Sequence, residues 1–156
     1  MSVPHTQSQC ADTVVLDGVL GGDAMSAALS AEAAGRWVLA RTDWMDTFAL
    51  LEHLATRAQH RATLADRLRF VVQQRLAVAD VANTANEAAG LRADRRSAIE
   101  VLMVGDAFRD ALRTGAPVTR LRELALQDGF QPLTKRIAAL AAAGTIAEAE
   151  AARANA

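Results

Sequence analysis

The 156 residues carry 17 basic and 18 acidic side chains for a net charge of −1, and 51% are hydrophobic while only 4% are aromatic. That balance gives no overall electrostatic reason to expect a nucleic acid or an anionic membrane as partner. The single cysteine, Cys10, excludes an internal disulfide and a cysteine zinc site, as in a reducing cytoplasm. The length suits one domain with at most a small appendage. No apolar run approaches the roughly 20 residues needed to span a bilayer, and residues 1–9 lack the charged and apolar regions of a signal peptide. The expectation is a cytoplasmic protein without direct membrane insertion.

Residues 1–12 are polar and expected to be flexible. Thr13-Val14-Val15-Leu16-Asp17 is a short β-branched run closed by glycine, which predicts a buried strand. Gly21-Gly22 breaks the chain, and Asp23 stands where it can cap a helix that runs to about Ala34 and stops at Gly35. Arg36-Trp37-Val38-Leu39-Ala40 predicts a second strand. A crossover helix between two strands favours a parallel pair.

Phe48, Leu51, Leu54 and Ala55 then repeat at helical spacing. A second helix is expected from about Arg61 to Leu76, with Leu64, Leu68, Val71, Val72 and Leu76 on one apolar face. Between Ala77 and Arg95 the pattern weakens, and Ala98-Ile99-Glu100-Val101-Leu102-Met103-Val104 predicts a third strand. Helices are expected at about 105–113, 117–128, 132–143 and 145–154, separated by Gly115-Ala116-Pro117, Gly129-Phe130-Gln131-Pro132 and Gly144-Thr145.

The order of these pieces resembles the traffic ATPases of type II secretion and type IV pili, from about Val14 to the end. In that family a strand leads into Gly-Glu, Arg-Asp-x-Glu-Thr-Ala opens a helix, and Thr-Gly-His precedes a strand and a His-Thr-Asn-Asp stretch. The corresponding course is Val14-Val15-Leu16-Asp17-Gly18-Val19-Leu20-Gly21-Gly22-Asp23, then Ala33-Ala34-Gly35-Arg36 and Arg41-Thr42-Asp43-Trp44-Met45-Asp46. Gln74-Arg75-Leu76 matches directly, while Ile99-Glu100-Val101-Leu102 and Gly129-Phe130-Gln131-Pro132-Leu133 are similar to later parts of the family.

The resemblance implies an α/β fold. It would be a truncated RecA-like, small, mostly parallel sheet from residues 13–17, 37–41 and 98–104 with flanking helices, followed by a C-terminal helical bundle. The implied organisation is 1–12 as a flexible terminus, 13–104 as the RecA-like remnant and 105–156 as the helical subdomain. The chemistry of the family is absent. No Gly-x-x-x-x-Gly-Lys-Ser/Thr occurs, so the loop that would hold the phosphates is missing. Gly18 stands where the family has its glutamate, Leu20 and Gly21 replace an arginine and an aspartate, and Asp43 replaces a histidine. A one-residue slip in a strand points a side chain to the other face, which makes Asp17 a poor substitute. The cysteines that bind zinc after Gln-Arg-Leu in many members are also missing. Catalytic, nucleotide-binding and metal residues are therefore all expected to be none, with no cofactor.

His53 and His60, seven apart, are a solvated helix face rather than a metal pair. Asp12, Asp17 and Asp23 among glycines fit no calcium loop. Trp37 is expected in the core. Trp44, with Met45 and Arg75, is the possible interface. The expected partners are a second copy or a full-length secretion or pilus ATPase. The leading function is a non-catalytic accessory or regulatory protein. One alternative is an ATPase component completed in trans through Asp17 or Asp46. Another is a small helical DNA-binding module on residues 118–128 and 133–143, although the second helix carries only Lys135 and Arg136.

Overall fold

β-Branched residues set the first strand pair. In the computed structural model, which describes residues 12–17, 22–44, 46–56, 58–78 and 95–154, strand β1 (Thr13–Asp17) lies parallel to β2 (Trp37–Arg41). The register runs from Thr13 opposite Trp37 to Asp17 opposite Arg41. Helix α1 (Gly22–Ala33) makes the crossover, and its buried side chains are Met25 and Ala28. Gly35 ends it at φ 81°, its N–H bonding Glu32 O while Arg36 N–H reaches back to Ala31 O. That left-handed turn is open to glycine at little steric cost. The expected strand, helix and strand are all present. The cap expected at Asp23 lies outside the described side chains.

Trp37 corrects an expectation. It is 63% exposed rather than part of the core. Alternation along β1 and β2 sends Val14, Leu16 and Val38 toward cover and leaves Val15, Trp37 and Leu39 outside.

The chain divides into two compact units after residue 45. The second begins with α2 (Thr47–Ala55) and α3 (Ala58–Arg67). His53 and His60 therefore stand on different helices rather than on one. The chain then departs from the expected long helix. Residues from Phe70 onward form strand β3 (Phe70–Val78), antiparallel to β4 (Arg95–Met103), with Phe70 opposite Met103 and Val78 opposite Arg95. The α/β class, with a short parallel sheet and flanking helices, holds. The third strand, however, joins β3 instead of the first two, so the described residues form two two-stranded sheets.

Burial explains why β3 is a strand. Val71, Gln73, Arg75 and Ala77 are the more covered positions, and Phe70, Val72, Gln74 and Leu76 the exposed ones. That period of two cannot be satisfied by a helix, in which Val71 and Val72 would share a face with Leu68.

Four helices follow: α4 (Asp106–Thr114), α5 (Val118–Gln127), α6 (Leu133–Ala142) and α7 (Glu148–Ala154). Their breaks fall at the expected glycines, and Gly115, Gly129 and Gly144 all have positive φ. Phe108, Leu112, Leu102 and Leu51 are sealed from solvent, and Ala77 and Ala98 of the hairpin pack with Leu133, Ile137 and Ile146. The boundary expected between residues 104 and 105 lies inside this second unit, where α4 follows β4 almost at once.

Candidate functional site

A charged residue in the middle of a buried strand face is the most unusual feature of the second unit. On β4 the inward positions are Ala98, Glu100 and Leu102, and Glu100 is only 5% exposed. A buried carboxylate must be hydrogen-bonded to be tolerated. Its Oε1 accepts from the Thr47 hydroxyl at 2.5 Å, and its Oε2 from the Leu133 backbone N–H at 2.6 Å. Thr47 Oγ1 also lies 3.3 Å from Gln73 Oε1. Since the hydroxyl has one proton, the shorter contact with the carboxylate takes it.

The two partners of Glu100 are both at helix starts. Thr47 opens α2, and Leu133 opens α6, where Pro132 supplies no capping side chain. Glu100 does that work from another element, placing negative charge at the positive end of a helix. One carboxylate thus ties β4, α2 and α6 together.

Asp46 completes the same corner. Its side chain caps α2 by accepting from Ala49 N–H at 2.7 Å, and its other oxygen is 3.6 Å from Arg122. The Arg122 guanidinium lies 4.7 Å from the centre of the Phe48 ring. Phe48 meets Phe130 edge to face at 5.5 Å. The arginine is thereby pinned between a carboxylate and a ring face.

A second set of arginines closes the far end of α3. Arg109 donates to the carbonyls of Ala65, Asp66 and Val104, completing the C-terminus of that helix with a cation. Arg113 binds Asp66 at 2.6 Å and also pairs with Asp110. The hydrogen bond from Arg113 holds the Asp66 carboxyl below its ordinary range, and the same contact raises Arg113.

A depression of about 220 Å³ between α2 and the α4–α5 turn is lined by Leu51, Glu52, Arg61, Gly115 and Leu121 among others. Arg61 is held there by Ala55 O, at 3.2 and 3.1 Å.

Of the residues singled out in the sequence, Trp44 is 40% exposed in the first unit, and Met45 lies outside the described residues. Arg75 is in the second unit, on β3, where it reaches Arg153 O of α7 at 3.4 Å. The structure does not group Trp44 and Arg75 in one unit. Asp17 is 3.2 Å from Arg41, its neighbour across β1 and β2. Among the described residues no three His, Cys, Asp or Glu side chains form a metal-binding group, and no helix is long and apolar enough to cross a membrane. Sequence inspection passed over Glu100, Arg109 and Arg122. Of these, only Glu100 carried a visible sign, an acid between Ala98 and Leu102 on alternate strand positions.

No family model and no curated protein matches the chain. Solved structures do. The ATPase DotB of Legionella pneumophila superposes over 91% of this chain with a TM-score of 0.73 at 19% identity, and DotB of Yersinia pseudotuberculosis over 93% with 0.73 at 18%. The pilus retraction motor PilT, solved with bound ADP, superposes over 94% with 0.73 at 18% identity. The chain has the fold of part of a secretion and pilus ATPase. It spans 38, 37 and 40% of the length of these three proteins. The identities are low, so the likeness is one of fold, and it agrees with the order of motifs in the sequence.

Proposed function

We propose that this chain is a non-catalytic accessory or regulatory protein related to the secretion and pilus ATPases, acting in the cytoplasm through protein–protein contact. One observation carries the proposal. The ATPase-like fold extends over more than nine tenths of the chain, while Gly18, Leu20, Gly21 and Asp43 stand at the family's reactive positions. Phosphoryl transfer depends almost wholly on positioning and charge stabilisation, which these four residues do not supply.

The acids of the first alternative are occupied. Asp17 pairs with Arg41, and Asp46 caps α2 while facing Arg122. This favours a structural part for both over a catalytic part in trans. The partner in this proposal is an intact secretion or pilus ATPase, with the β1–α1–β2 unit and Trp44 and Met45 at the contact. Arg75, turned toward α7, contributes less.

Calorimetry with magnesium-ATP tests the proposal. No measurable heat is expected, and a micromolar dissociation constant overturns the non-catalytic function. A pull-down from cell extract is expected to recover a secretion or pilus ATPase. Recovery of DNA fragments in its place would turn the choice to the helical DNA-binding alternative.

A further inference from the structure

The hairpin of β3 and β4 covers only one of its faces. Its inward side chains, among them Ala77, Ala98, Glu100 and Leu102, are buried. The outward side presents Phe70, Val72, Leu76, Ile99, Val101 and Met103, with exposures from 39% to 63%. They are not scattered. Phe70 pairs with Met103, Val72 with Val101 and Gln74 with Ile99, so the apolar groups sit on adjacent rungs of one ladder. Together they leave several hundred Å² of apolar surface, in the range of roughly 300–600 Å² reached by the largest patch on an ordinary monomer.

We infer that this face is a docking surface for a second copy of the chain, packed hairpin on hairpin about a two-fold axis. Three observations choose this occupant. First, a two-fold contact joins a surface to itself, so the surface must tolerate its own charge. The outward positions of both strands hold no acid and a single base, Arg95 at one end, which leaves the centre of the face neutral.

Second, Arg95 fixes the orientation. Packing like end on like end would oppose the two Arg95 side chains. Turning one copy end for end separates them and sets each beside the Phe70–Met103 end of its mate. There the exposed Asp106 opens α4, a carboxylate for the arginine to meet.

Third, the apolar ladder supplies a large share of the area a stable dimer takes. A standard stable interface takes about 800 Å² from each partner. The apolar ladder supplies most of the contact, with Gln74 on its middle rung donating to Ser97 at 2.9 Å and Arg95 at one end. Face-to-face packing of sheets is an established way to bury such ladders. This contact is separate from the β1–α1–β2 contact proposed above, and it needs no nucleotide and no ATPase.

Sedimentation of the full chain at tens of micromolar tests the inference, with Val101→Glu, Val101→Lys and Leu39→Glu alongside. The wild type is expected to run as a dimer. Each Val101 variant should run as a monomer with an unchanged circular dichroism spectrum, because the position is exposed. An equimolar mixture of the two should regain dimer, with at least a tenfold rise in association over either alone. Leu39→Glu should leave the dimer intact. A wild-type monomer overturns the inference, as does a dimer that ignores both Val101 substitutions. A dimer lost in Leu39→Glu but kept in Val101→Glu places the contact on β1 and β2 and also overturns it. Association only on addition of an intact ATPase does so too.

Discussion

Residues 12–44 and residues 46–154 build similar local structure with very different support. Among the described residues of the first part, only Met25 and Ala28 are buried apolar side chains, and Val15 and Trp37 stand 69% and 63% exposed. The second part seals Phe108, Leu51, Leu102 and Leu112 and adds a buried carboxylate that joins three elements. Both contain a two-stranded sheet with a bare apolar face. A parallel pair is normally covered on both faces, whereas an antiparallel hairpin tolerates one open face. Strand pairing alone does not give a part its stability; enclosed volume and satisfied polar groups do.

The sharpest way to break this comparison is to remove core from each side. Phe108→Ala should cost about 3–5 kcal/mol, against about 1 kcal/mol for Leu16→Ala, which removes a half-covered side chain. Denaturant melts of the full chain measure both, and equal costs would refute the contrast.

Next in size is Glu100→Ala, which strands the Leu133 N–H, leaves the Thr47 hydroxyl only its 3.3 Å contact with Gln73 Oε1 and should lose about 2–3 kcal/mol. Amide exchange should show the loss first at the start of α6. A uniform change across the chain would mean that the carboxylate does not act at that helix start.

Gly115→Ala follows at about 1–2 kcal/mol, from the left-handed backbone. At φ 75° a new Cβ would also come within 2.5 Å of Arg61 Nη1 and press the guanidinium away from Ala55 O. A variant as stable as the wild type in thermal melts would show that the turn can relax.

The smallest effect is that of pH on the exposed Asp66–Arg113 pair. Because the folded state lowers the Asp66 pKa, the pair's contribution is fully present above the ordinary carboxylate pKa of about 4. It is lost as pH falls through the lower folded value. The difference in Tm between wild type and Asp66→Asn should exist at neutral pH and vanish in strong acid. A gap that widens as pH falls would contradict the assignment.

Much of the chain was legible in the residues. β1 declared itself through a β-branched run and β2 through a short apolar one, and Gly35, Gly115, Gly129 and Gly144 punctuated the helices where the backbone needs positive φ. β3 was not legible, for a physical reason. Leu64, Leu68, Val71, Val72 and Leu76 satisfy a helical spacing, no glycine or proline marks the break at residues 68 and 69, and apolar side chains line both faces of the strand. A strand that is apolar outside as well as inside hides its period of two. Of the interface candidates, Trp44 is 40% exposed and Arg75 turns toward α7. Glu100 was hidden because its partners, Thr47 and Leu133, lie 53 and 33 residues away along the chain.

Those separations also order events during synthesis. The first unit has β1, α1 and β2 once Arg41 has left the ribosome. The corner around Glu100 stays incomplete until Leu133 emerges, because until then one carboxylate oxygen has no helix start to bind. Domains formed early on a nascent chain wait with whatever surface they expose, and closing contacts over longer stretches costs further entropy. The β1–β2 sheet would therefore wait with its Val15–Trp37–Leu39 face bare while the second unit is still being made. A chaperone that follows translation would meet that face before the face of the β3–β4 hairpin.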